Sequence, residues 1–175
     1  MKASSFTCSF LQALAVVSAF LFSSTGFAQP ATFKEGILQI PQTAALIKGE
    51  THYYNDIQLA LDTNGNFTVL EAEPSPLVFV DSVTVIMTMS LPPQVSIVVR
   101  GNKSVPCVEL QNPAMFRDGF SFTVVLAETK MGPAETCIAI IEPFETHIRL
   151  DTVGLESGLY TVNVNGKEEG FSLSI

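Results

Sequence analysis

The sequence predicts an all-β protein: an antiparallel β-sandwich behind an N-terminal β-hairpin segment, tied by one disulfide. Three observations predict this. Apolar and polar residues alternate at period two over most of the chain beyond Gln29, and helical periodicity is nearly absent. Strand-sized runs rich in β-branched and aromatic residues are cut by turn sequences: "EPSP" (73–76), "LPPQ" (91–94), "RGNK" (100–103), "FRDG" (116–119), "MGPAE" (131–135) and "NG" (165–166). Two cysteines, Cys107 and Cys137, remain once the leader is discounted, and an even pair in an exported chain reads as one bridge.

The leader comes first. Lys2 supplies a positive start, Phe10–Phe22 an apolar core, and Gly26 and Ala28 the small residues before a cut. A membrane span needs about 20 apolar residues, so this core is too short to cross and stay. Residues 1–28 therefore read as a signal peptide, and the mature chain is expected to be secreted or periplasmic. Cys8 precedes the apolar core and leaves with it. No later run is both long and free of polar groups: Leu77–Met89 carries Asp81, Ser82 and two threonines, so no membrane span is expected after cleavage. The formal net charge is −8, and loss of Lys2 makes it one unit more negative. That leaves too few bases for a nucleic-acid face.

Residues 29–76 are read as the hairpin segment. "DTNGNFTVLEAE" (62–73) nearly matches a calcium loop, with oxygen side chains at Asp62, Asn64 and Asn66 and a glutamate at the twelfth place. Position six, where such a loop turns on glycine, is Phe67; the glycine is Gly65. A bulged hairpin explains the stretch better. With Gly65 left-handed, Leu61 falls opposite Phe67 and Leu59 opposite Val69, gathering the apolar residues on one face. Proline-containing 72–76 is the candidate boundary, and residues 77–175 form a sandwich-sized unit.

Within that unit, Val83–Met89 is apolar on both faces, which predicts a central or covered strand. Val95, Ile97 and Val99 alternate in the next. Phe120, Phe122, Val124 and Leu126 share a face, as do Ile148 and Leu150. The last hairpin turns on Asn165-Gly166, a dipeptide suited to a type I′ turn, and its register sets Tyr160 against Phe171. Gly158, two residues ahead of Tyr160, fits a tyrosine corner, in which the phenol bonds back to upstream backbone.

"CIAIIEPFETHIRLDTVGLESGLYTVNVNGKEEGFSL", with "VVRGNKSVPC" before it, resembles the immunoglobulin-like β-sandwich modules of secreted bacterial proteins. The residues that carry the resemblance are Cys137, Pro143, Phe144, Leu150, Gly154, Leu155, Gly158, Tyr160, Asn165, Gly166 and Phe171, over residues of about 80–175. It implies a fold and little about activity, because such modules serve diverse roles. The absence of tryptophan sets the chain apart from antibody-type domains.

The chemistry-bearing residues are sparse. His52 and His147 have no short-spaced metal-ligand partner. Ser157 lies in G-x-x-S-G rather than a nucleophile elbow, with no helix pattern after it. Glu142 and Glu145 are a carboxylate pair near a strand start, of the kind that is usually solvated. Asn66 and Asn102 begin N-x-[ST] sequences at expected turns. No catalytic residue, metal or cofactor is expected. The chain is read as an exported, non-catalytic module that binds a protein or glycan through loops or a sheet edge. The alternative is an inhibitor of an exported protease, presenting residues 128–136 beside Cys137.

Overall fold

The computed structural model describes residues 30–90, 93–133 and 135–174. The expected signal peptide lies outside them. Eleven strands form three sheets, with no helix among the described residues.

The first sheet is an antiparallel meander of β1 (Thr32–Lys34), β2 (Ile37–Ile47), β3 (Glu50–Leu61) and β4 (Phe67–Ser75), in chain order. The β3–β4 hairpin has the expected register: Leu61 opposite Phe67 and Leu59 opposite Val69. The Asp62 amide donates to the Asn66 carbonyl at 2.9 Å, and Gly65 is left-handed at φ 85°. The segment is larger than a hairpin because β2 pairs with β1 through the two-residue turn Glu35-Gly36 and with β3 through the two-residue turn Lys48-Gly49. Both central residues of each turn have positive φ, the geometry of a type I′ connection. The apolar face set up by that register is not buried: Phe67 and Val69 are 52% and 61% exposed.

Residues 73–75, expected as a turn, are the last of β4 and pair with Tyr53–Asn55. Pro74 is tolerated there because β4 is an edge strand and needs only one ladder. The chain then runs directly into the sandwich. Leu77 pairs with Ala127, the Glu128 amide donates to the Pro76 carbonyl, and the Val78 amide donates to the Leu126 carbonyl.

The sandwich strands are β5 (Phe79–Met87), β6 (Val95–Lys103), β7 (Ala114–Asp118), β8 (Ser121–Val125), β9 (Glu142–Leu150), β10 (Gly158–Val164) and β11 (Lys167–Leu173). One sheet has the order β5-β6-β9 and the other β11-β10-β8-β7. Their inner faces share one core, built from Val95, Ile97 and Val99 of β6, Phe122 and Val124 of β8, Ile148 and Leu150 of β9, and Tyr160, Val162, Phe171 and Leu173 of the last hairpin. Burying each such side chain is worth about 1.5–3 kcal/mol. The Asn165-Gly166 turn and the Tyr160–Phe171 register are as expected. So is the corner: the Tyr160 hydroxyl donates to the Glu156 carbonyl at 2.8 Å.

Four features depart from expectation. First, "RGNK" is not a turn. Residues 100–103 complete β6: all four pair with β9, and residues 100–102 pair with β5 as well. A Cβ on Gly101 would lie 2.1 Å from the Phe79 carbonyl oxygen and 2.9 Å from the Phe144 ring, so this glycine marks a close backbone approach inside a strand.

Second, Val83–Met89 is neither central nor covered. It falls largely within β5, an edge strand, and the central place belongs to β6. Third, β8 is buried on both faces. Val125 and Ala127 pack against Tyr53 in a second, smaller core, where the meander docks on the outside of the sandwich. Fourth, β8 and β10 are parallel neighbours. Parallel strands need a long crossover, and here the chain supplies it by running through β9 in the opposite sheet.

Cys107 and Cys137 form the expected disulfide, with Cα atoms 6.1 Å apart. It links the loop after β6 to the segment before β9.

Candidate functional site: the seam between β5 and β11

On β5 Val80 and Val83 are both buried, because the register shifts between Val80 and Ser82, whereas Ile86 and Met87 are about half exposed and Met89 beyond the strand end is fully exposed. On β11, Phe171 and Leu173 point into the core. These two strands end their respective sheets and lie side by side at one corner of the sandwich. No backbone hydrogen bond joins them among the described residues.

A groove follows the seam in two stretches. One, of about 340 Å³, is lined by Val83, Val85 and Met87 against Glu169, Gly170 and Phe171. The other, of about 400 Å³, is lined by Met87, Thr88 and Met89 against Leu173 and Ser174. Residue numbers rise together on both walls, so β5 and β11 run in the same direction. The upper end of β5 is held in place: the Thr88 amide donates to the Gln94 carbonyl at 3.0 Å, and the Thr88 hydroxyl lies 2.8 Å from that of Ser90.

A strand edge offers alternating N–H and C=O groups at a fixed spacing, the template an extended peptide uses to add itself to a sheet. Here two such edges flank one groove. The methionines on its rim are flexible and polarisable, which suits them to partners of varied shape. Gly170 opens the β11 wall, because it places no side chain over the groove.

The other residues singled out in the sequence do not converge. His52 stacks on Tyr54 in β3 with ring centroids 6.2 Å apart, whereas His147 is exposed on β9, 3.5 Å from Glu145. Glu145 also meets Arg100 at 2.6 Å, and this hydrogen bond, with the guanidinium charge, holds its carboxyl below the usual range. Glu142 pairs with Lys103 at 2.6 Å. The two carboxylates thus have separate cationic partners. Ser157 sits in a bend that enters β10, a strand and not a helix. Asn66 is in the hairpin loop, and Asn102 lies within β6, where its amide donates to Asp81 at 2.7 Å. Among the described residues, no group of three His, Cys, Asp or Glu side chains is placed to hold a metal ion. No helix among them is long and apolar enough to cross a membrane.

The Asp62 carboxylate is occupied by its own loop. It accepts from the Asn64 and Asn66 amides at 2.8 Å each and from the Asn66 side chain at 3.2 Å. In the 128–136 loop, Glu128 is buried and accepts from the Ser104 amide at 2.9 Å, the Thr129 amide donates to the Glu109 carbonyl, and Lys130 pairs with Glu73. At its tip the Glu135 amide donates to the Gly132 carbonyl at 3.0 Å and the Gly132 amide donates to the Glu135 carboxylate at 2.9 Å.

The seam itself was not legible as a site. The apolar run Val83–Met89 is its signal, but which strand lies beside it depends on the opposite sheet.

A family model, the ORF11 beta-sandwich domain, matches residues 97–173. The matched span runs from within β6 to the end of β11, which takes in every sandwich strand except β5 and leaves out the N-terminal meander. No curated protein and no solved structure gives a significant match to the chain.

Proposed function

We propose that the chain is an exported, non-catalytic interaction module whose sandwich takes up an extended polypeptide segment by strand addition at the β5–β11 seam. The observation that carries this reading is the pair of strand edges running side by side with a groove between them that Val83, Val85, Met87 and Met89 line together with polar residues. The partner is a peptide in strand conformation with apolar side chains at alternate positions, which enter the groove while its backbone bonds to an edge. The disulfide suits an oxidising compartment, secreted or periplasmic. The two-sheet layout with its tyrosine corner supports an immunoglobulin-like module of bacterial type, although the parallel β8–β10 pair departs from a wholly antiparallel one. The scattered, separately paired carboxylates and histidines support a non-catalytic role.

The test places a photo-crosslinking residue at Met87 and, as a control, at the exposed Arg149 of β9 in the mature protein. Irradiation in the native envelope and secretion fractions should produce an adduct from position 87 and none from 149. Met87→Lys and Met89→Lys, both at exposed positions, should suppress it. Adducts indifferent to position or to these lysines, or no reproducible adduct, would remove the seam as the binding surface.

A second reading is an inhibitor of an exported protease. It draws on one observation: the 128–136 loop is held at its base by buried Glu128 and at its far end by the Cys137 bridge. A panel of serine, cysteine and metalloproteases tests it, and uniform lack of inhibition discards it.

A further inference from the structure

The sandwich covers only part of one face of the meander. Successive side chains of a strand point to opposite faces, so residues two apart share one. At the docked end that face carries Tyr53 and Ala44, which are cross-strand partners and pack in the second core with Val125 and Ala127. Asn55 opposite Gln42 and Ile57 opposite Ile40 continue the face along β3 and β2. Beyond them an apolar row crosses all four strands: Phe33 faces Leu38, Leu38 faces Leu59, and Leu59 faces Val69. Leu61 opposite Phe67 completes the patch. This end lies open to water. Phe33 is 57% exposed and Leu61 40%, beside the exposed Phe67 and Val69.

Area, charge and shape together identify what covers it. By their exposed fractions the six side chains leave roughly 400 Å² of apolar surface in water, taking about 150–250 Å² for a whole aromatic side chain and less for an aliphatic one. One partner of a standard interface contributes about 800 Å², of which about 450–500 Å² is apolar. The patch is therefore near what a protein partner needs. None of the six residues is charged, on a chain whose formal net charge is −8. Two acidic copies repel, and an uncharged face is where they can meet. A basic partner would instead be drawn to the acidic surface elsewhere. An extended peptide adds at a strand edge and does not lie across four strands. A broad sheet face is matched by another sheet face, as the docked end of this same face shows against Val125 of β8.

We infer that two copies of the chain pack these faces together about a twofold axis, so that Phe33, Phe67 and Val69 of each copy enter the layer between two meanders. Such a contact is isologous: one patch serves both copies and leaves no second face to propagate. The patch includes no residue of β5 or β11, so the dimer is independent of strand addition at the seam.

The experiment measures the mass of the mature protein by sedimentation equilibrium across about 1–100 μM, which reaches the weak end for an interface of this size. A monomer–dimer equilibrium is expected, with a melting temperature that rises with concentration. Phe67→Lys and Val69→Lys each bring two like charges into the contact and should weaken it at least about tenfold. Their melting temperature should match that of the unsubstituted chain at its most dilute, so loss of the dimer is not loss of fold. Thr68→Lys, on the opposite face of the same strand, and Met87→Lys, in the seam, should leave the dimer intact. Flotation with vesicles of phosphatidylcholine and phosphatidylglycerol tests a lipid surface as the occupant. A monomer at every concentration, a dimer indifferent to lysine at both 67 and 69, a dimer broken equally by Thr68→Lys or Met87→Lys, or vesicle flotation that Val69→Lys abolishes overturns the inference.

Discussion

At the scale of single residues, position 101 shows how one atom can be decisive. An added methyl there meets a backbone carbonyl at 2.1 Å and an aromatic ring at 2.9 Å, and only one of these can swing away. Gly101→Ala should therefore destabilise by about 3 kcal/mol or more, toward the upper end of overpacking effects, in a denaturant titration. Asn165 has two roles that a pair of variants can separate. As a turn residue it supplies φ 48°, which glycine also supplies. Its side chain additionally donates to the Val78 and Leu126 carbonyls at 2.9 and 2.8 Å and accepts from the Leu126 amide at 3.0 Å. Asn165→Gly should keep the hairpin register and still lose about 2–3 kcal/mol, since each such bond is worth about 1 kcal/mol. A loss near zero would show that the turn is its only role. "NG" announced the turn. Nothing local announced the ties, because their partners are 39 and 87 residues away.

At the scale of elements, the β3–β4 hairpin permits two measurements. Asp62 is held below its ordinary value of 3.8, first by the Asn66 amide and then by the Asn66 side chain. A carboxyl whose folded value lies below the unfolded one stabilises the hairpin above the unfolded value, and that contribution fades as pH falls through the folded value. An NMR titration should place the Asp62 midpoint below 3.8, and Asp62→Asn should flatten the acid-range dependence of melting that Asp62 contributes. The same three hydrogen bonds occupy the oxygens a calcium ion would need. Melting in 1 mM calcium should match melting in EDTA, and a rise of several degrees would show that the ion displaces those bonds (about 1 mM, the weak end for extracellular calcium modules).

Strand registers in both hairpins were legible from turn chemistry and period-two pattern, and so was the tyrosine corner. The "RGNK" and "EPSP" stretches were misread for a shared reason. Glycine and proline interrupt strands in isolation, but Gly101 accommodates a close neighbour and Pro74 sits on an edge, both properties of the assembled sheet.

At the scale of the whole molecule, the Cys107–Cys137 bridge closes a loop with a sequence separation of 30. The chain-entropy model credits such a loop with about 3–4 kcal/mol, so the Cys107→Ser, Cys137→Ser double variant should lose about that much in equilibrium denaturation while keeping its far-UV signature of β-structure. The bridge anchors the loop after β6 and the segment before β9, so its loss should not alter the β3–β4 hairpin. The Asp62 titration in the double variant checks this.

The sequence by itself determined the all-β class, the disulfide, the two hairpin registers and the alternation that fills the sandwich core. All of these depend on local backbone preference or on a two-residue period, and both are written in consecutive residues. Only the tertiary structure decided which strands became edges, that β8 and β10 run parallel, that Tyr53 seals the meander onto Val125, and that the same face stays uncovered at Phe67 and Val69. Those outcomes depend on contacts between residues far apart in the chain. An apolar run such as Val83–Met89 has the same pattern whether a neighbour strand arrives or not, and a sheet face has the same alternation whether or not a second layer covers it.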